Sequence, residues 1–149
     1  YLILHVNHPD ELTPLVCEKL SMLADAGIPL LSQSVLLRNI NDNTDVLTRL
    51  FRKLLVNRVK PYYLHHGDLA KGTRHFRTSI EHGQALMKAL RGPVSGLCQP
   101  HYVLEVPGGA GKVPIGPQYL TSTAENSHTI EDVSGCTHRY IDDCLPDAV

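Results

Sequence analysis

The chain has 149 residues, a formal net charge of −1, 42% hydrophobic and 19% charged residues, an ordinary globular composition with enough chain for one core. Near-neutral charge leaves no electrostatic footprint for nucleic acid, and no apolar run approaches the roughly 20 residues of a membrane-spanning helix. The expectation is a soluble, cytoplasmic protein with neither nucleic acid nor membrane as a partner.

The chain opens on Tyr1 with YLILHV, an apolar run that begins mid-strand and carries no signal-peptide features; a piece of a longer protein, with its N-terminal part missing, is expected. This first strand ends in a polar cluster, His5, Asn7 and His8. Two imidazoles three residues apart on a strand point to opposite faces, which suits one ring to a cofactor and the other to capping a loop. Leu15, Val16, Leu20 and Leu23 then follow a helical period that Gly27 and Pro29 stop.

PLLSQSVLL reads as the second strand. Gln33 within it is either a satisfied interior amide or a ligand contact. A second helix carries Val46, Leu47, Leu50, Leu54 and Leu55 on its apolar face, with Thr44 or Asp45 as its cap. KPYYLHH is the third strand, ending near His65, His66 and Asp68, and TRHFRT follows as the solvated start of a helix or a basic cluster able to hold an anion. Ile80, Leu86, Met87 and Leu90 mark the third helix, and a fourth strand leads to Glu105 and Lys112.

Strands alternating with helices through short loops imply a parallel sheet, closed into a barrel or open, with chemistry at the carboxyl ends of the strands. Asp68 and Glu105 fall at such ends and suit proton transfer, recognition of a cation, or simple exposure to water. Lys112 lies in PGGAGKVP. This is no phosphate-binding loop of the G-x-x-x-x-G-K-[ST] type, because Val106 and Val113 stand at its first and last defined positions. Two readings stay open: a lysine approached closely by an aldehyde cofactor, or a tight glycine turn with a solvated lysine.

After Pro117 the pattern fades, apart from a weak hairpin in SHTIEDVSGCTHRYI turning at Ser134 and Gly135. An otherwise irregular tail is expected, packed on the barrel or reaching to a partner subunit. Cys17, Cys98, Cys136 and Cys144 form no CxxC or CxxxCxxC pattern, so reduced thiols and no metal site are expected.

Four segments, HVNHPDELT, AGIPLLSQSVLLRNIND, PYYLHHGDLAKGTRHFRT and LRGPVSGLCQPHYVLEVPGGAGKVPIGPQYL, together resemble the lysine 2,3-aminomutase family of radical S-adenosylmethionine enzymes. The resemblance implies an α/β fold, the C-terminal half of a partial (β/α)6 barrel. Residues 1–106 would supply its last strand–helix units, and residues 107–149 the cofactor lysine and the tail. It aligns Lys112 with the lysine that carries pyridoxal phosphate, Asp68 and Glu105 with two acids that hold the ε-ammonium of L-lysine, and His5 and Gln33 with positions near S-adenosylmethionine. The implied reaction is a radical 1,2-amino migration from L-lysine to β-lysine by a full-length homo-oligomer.

Three features depart from the family pattern. The CxxxCxxC motif for a [4Fe–4S] cluster is absent from this chain, which alone is expected to be inactive. Glu105 stands where the lysine enzyme has aspartate, keeping the charge, and two acids argue against a glutamate substrate. Asn43 stands where some members have a zinc-binding cysteine. The branch that supplies β-lysine to translation elongation factor P and a non-catalytic truncated module are the alternatives. Half a barrel exposes strand edges, so the isolated chain is expected to aggregate or dimerise.

Overall fold

The computed structural model describes residues 1–124 and 126–143; Cys144 lies outside them. The described chain forms two compact units, Tyr1–Gly116 and a second beginning at Pro117.

In the first unit, strands β1 (Leu2–His5), β2 (Leu30–Val35), β3 (Val59–His65) and β4 (His101–Val106) alternate with helices α1 (Pro14–Asp25), α2 (Thr44–Val56) and α3 (Ile80–Leu90). A further strand, β5 (Gly111–Pro114), returns against β4. The sheet order is β1-β2-β3-β4-β5, parallel through β4 and antiparallel at β5. Each new parallel strand adds beside the last, the sequential winding that crossovers of one hand produce. The strand–helix alternation expected from the sequence is thus observed, as a mixed α/β unit.

Capping fixes where each helix begins. Thr13 Oγ1 accepts from Val16 N, Asn43 Oδ1 from Val46 N, and Ser79 Oγ from His82 N, each satisfying an otherwise orphaned first-turn amide. The cap of α2 is therefore Asn43, and the expected caps Thr44 and Asp45 lie inside the helix. Asn has the short acceptor geometry the position needs, one residue earlier than the acidic first turn suggested.

The core gathers Leu20 from α1, Leu47, Leu50, Phe51 and Leu54 from α2, and Leu86, Met87 and Leu90 from α3. They pack on Leu30, Val59, Leu64 and Tyr102 of the strands. Strand residues of opposite phase, Ile3, His5, Gln33, His65, His101 and Glu105, are exposed or half-buried. The helices therefore cover one face of the sheet and leave the other open.

A bulge decides which residues of β3 reach the open face. Ser32 pairs with Pro61 and Gln33 with Tyr63, so Tyr62 is the extra residue. Val59 and Pro61 are buried before it and Leu64 after it, so the alternation changes phase at Tyr62. Pro61 cannot donate to the ladder, and bulges are where sheets tolerate proline.

The second unit is a three-stranded antiparallel meander of β6 (Leu120–Ala124), β7 (Ser127–Glu131) and β8 (Thr137–Ile141). The hairpin expected around Ser134 and Gly135 joins β7 to β8, but β6, β7 and β8 form a sheet where an irregular tail was expected. β6 is exposed at every position and has no apolar alternation to announce it. Asp132 organises the β7–β8 turn: its carboxylate accepts from Ser134 N at 2.9 Å, Cys136 N at 3.0 Å and His138 Nε2 at 2.7 Å, and from the Ser134 hydroxyl. Those bonds hold its carboxyl far below the usual carboxylate range, the Ser134 hydroxyl contributing most.

Candidate functional site

The open face of the five-stranded sheet is assembled by register. His5 pairs with Gln33, Gln33 with Tyr63 and Tyr63 with His101, one row across four strands. The next row toward the carboxyl ends runs Val35, His65, Val103, Pro114. Beyond it Glu105 pairs with Lys112. Four of the five residues singled out in the sequence, His5, Gln33, Glu105 and Lys112, are thus strand residues in one face.

Glu105 and Lys112 were expected beyond the end of the fourth strand. They lie instead inside a β-hairpin, because PGGA is a turn between paired Val106 and Gly111. Gly108, Gly109 and Gly111 have φ of 86°, 80° and 99°, the left-handed region that favours glycine. A Cβ on any of the three would meet nothing within 4 Å; their requirement here is backbone conformation. The hairpin brings Lys112 Nζ to 3.2 Å from Glu105 Oε2, with 42% and 50% of the two side chains exposed.

Asp68 follows β3 in an exposed turn. With Glu105 it lines a cleft of about 230 Å³ whose walls include Leu69, Ile80, Leu104 and Pro107, together with His66. The lining is largely apolar, with the two acidic residues Asp68 and Glu105 among it, a combination that suits an ammonium group on an aliphatic chain. Arg77 fixes the turn from its far side: Nε donates to Asp68 O at 3.0 Å and a terminal nitrogen to Ala70 O at 2.6 Å. The basic segment before α3 forms a 3-10 turn at Arg74–Phe76, and Arg77, which follows that turn, is engaged by its own loop.

His65 joins the candidates. It is half-buried, and burial first, then the positive charge of Lys112, holds its imidazole below the usual histidine value, opposed by Asp68 and Glu105. The charges of Lys112, Asp68, Glu105 and His5 all act on this one side chain. Asn7 supports His5: its amide nitrogen lies 3.2 Å from His5 Nε2 while its Oδ1 accepts from Val35 N at 2.8 Å. Fully buried Asn41 closes the same corner, donating to Asn7 O and Val35 O and accepting from Leu37 N. His8 caps the 3-10 turn after β1, its Nδ1 accepting from Asp10 N at 3.3 Å.

The profile of the lysine-2,3-aminomutase family matches residues 87–144, which include β4, the PGGAGKVP turn and Lys112. An L-lysine 2,3-aminomutase of Fusobacterium nucleatum is 43% identical over 94% of this chain and 33% of its own length. The chain belongs to the lysine 2,3-aminomutase family. A putative L-lysine 2,3-aminomutase of Aquifex aeolicus is 45% identical over 91% of the chain and 37% of its own length. A glutamate 2,3-aminomutase of Clostridioides difficile is 46% identical over 82% of the chain and 29% of its own length. The chain spans about a third of the length of these aminomutases. Overall identity does not separate the lysine-named from the glutamate-named relatives, so the substrate question falls to the acids of the site.

Proposed function

We propose that the chain is the C-terminal part of a cytoplasmic L-lysine 2,3-aminomutase, an isomerase that moves the α-amino group of L-lysine to the β-carbon, and that its sheet is one arc of a partial (β/α)6 barrel. The observation that carries this reading is the shared cleft of Asp68 and Glu105, with Lys112 paired to Glu105 in the adjoining hairpin. Two acids select a substrate with a distal ammonium and repel one with a distal carboxylate.

Lys112 fits the role of pyridoxal phosphate anchor: it is a half-exposed primary amine beside a glycine turn with open space around it. His5 and Gln33, neighbours in the register row, would hold S-adenosylmethionine through polar contacts. When bound, pyridoxal phosphate supplies an aldehyde that holds an amine, and S-adenosylmethionine the radical with which the family's amino migration starts. The chain's own residues bind and orient. Asp68 holds the ε-ammonium, and Glu105 serves two amines in turn, that of Lys112 and that of the substrate.

This chain does not fit the [4Fe–4S] cluster that the reaction also requires. Among the described residues no group of three or more His, Cys, Asp or Glu could hold a metal ion; Cys17, Cys98 and Cys136 are half-buried, buried and exposed, and burial pushes the Cys98 thiol up, against the thiolate a cluster needs. The cluster belongs to sequence outside these residues.

Borohydride reduction of full-length protein loaded with pyridoxal phosphate, followed by peptide mass mapping, tests the anchor. The pyridoxyl mass is expected on the peptide holding Lys112 and is expected to vanish in Lys112→Ala. Label retained elsewhere at full occupancy removes Lys112 from the role.

A further inference from the structure

Tyr102 is the one aromatic residue that β4 contributes to the helix-covered core, at 2% exposure. Its ring and hydroxyl occupy the place where a Cβ on Gly83 of α3 would stand, so the helix carries a glycine in its second turn where the phenol needs room. The hydroxyl lies 2.7 Å from His66 Nδ1. His66 is also fixed through its main chain, its N–H donating to Val103 O at 2.8 Å. Both partners are in β4.

Proton bookkeeping gives the Tyr102–His66 bond a direction. Burial holds the Tyr102 phenol well above its ordinary value, and holds His66 below its own against the pull of Asp68 and Glu81, so both are neutral near pH 7. A buried phenol must place its hydrogen on an acceptor. Among the described residues that acceptor is His66 Nδ1, so Nδ1 is the bare nitrogen and Nε2 carries the hydrogen. Two residues on lies Asp68, whose carbonyl is gripped from the other side by Arg77.

We propose that Tyr102 is a positioning residue for Asp68: its hydroxyl, seated in the notch left by Gly83, fixes the His66 ring and with it the turn that holds the Asp68 carboxylate in the cleft shared with Glu105. The inference rests on the reading of that cleft as the ammonium site. Tyr102 acts on the cleft through His66.

The test is steady-state kinetics of full-length enzyme with L-lysine, with thermal midpoints measured on the same preparations. Tyr102→Phe keeps the ring and is expected to raise KM about three- to tenfold, the equivalent of one net hydrogen bond, with kcat within about twofold. His66→Asn retains an acceptor near the Nδ1 position and is expected to keep KM within about twofold of the parent. His66→Leu should reproduce Tyr102→Phe, and the double variant should add nothing to either. A lowered midpoint with unchanged KM in Tyr102→Phe, or equal damage from His66→Asn and His66→Leu, overturns the inference. Asp68→Asn separates the two levels. If it raises KM while Tyr102→Phe does not, positioning by Tyr102 is wrong and the ammonium site stands; if it leaves KM unchanged, both fall.

Discussion

The two faces of the five-stranded sheet are made by the same strands and have opposite chemistry. Beneath the helices, Leu30, Val59, Leu64 and Tyr102 are removed from water with the leucines of α2. On the other face His5, Gln33, His65, Glu105 and Lys112 stand exposed or half-exposed. Alternation along a strand makes this possible, because neighbouring side chains serve different faces, and the Tyr102–His66 bond is the link from the core to the cleft. It follows that stability and chemistry are separable here: damage to the helix face should unfold the unit, and damage to the open face should leave a folded protein with an altered site.

The sharpest way to break that division is Leu54→Ala. Leu54 is fully buried in α2, and removing its branched end leaves a cavity at a cost of about 2–5 kcal/mol. Chemical denaturation is expected to show the loss as a lower midpoint at unchanged slope. A cost below about 1 kcal/mol would mean that the helix face is not the chief source of stability.

A smaller effect should come from the two histidines at the end of β3. His65 and His66 are both held below the ordinary histidine value, in each case chiefly by burial. As pH falls through the unfolded value of about 6.5, the unfolded chain takes up protons that the folded chain refuses, so stability declines. The decline ends below the folded values, where both states are protonated. Thermal midpoints between pH 7.5 and pH 5 are expected to fall, and to fall less steeply in His66→Asn. An identical slope in that variant would show that His66 does not carry a share of the linkage.

How far the site could be read from the sequence differs between its parts for physical reasons. The helices and first three strands announced themselves because burying one face forces an apolar period. His65 was visible as a polar residue near a strand end but gained no role of its own, and an unbroken alternation from Val59 and Pro61 would point it into the core. The bulge at Tyr62 reverses that phase, and a bulge belongs to the pairing of two strands. Glu105 and Lys112 were found as residue types yet placed after the fourth strand, because the four turn residues Pro107–Ala110 hid a hairpin whose pairing is again between strands. Asn41 and Tyr102 gave no local signal at all: one is a buried amide tying two loops, the other an ordinary core aromatic until Gly83 and His66 are seen beside it.

The smallest expected effect on stability tests the open face directly. The Glu105–Lys112 pair spans 3.2 Å but both side chains are about half exposed, so water screens it and its net worth lies within about 0–1 kcal/mol. Glu105→Gln keeps the shape and removes the charge, and its denaturation midpoint is expected to match the parent closely. Its L-lysine KM is expected to rise about tenfold or more, as a charge-assisted contact to the ammonium becomes a neutral one. The two measurements pull apart only if this face is a site. Loss of stability without a change in KM would make Glu105 and Lys112 a structural cross-strand pair, the sheet's open face an ordinary wet surface, and the separation of the two faces wrong.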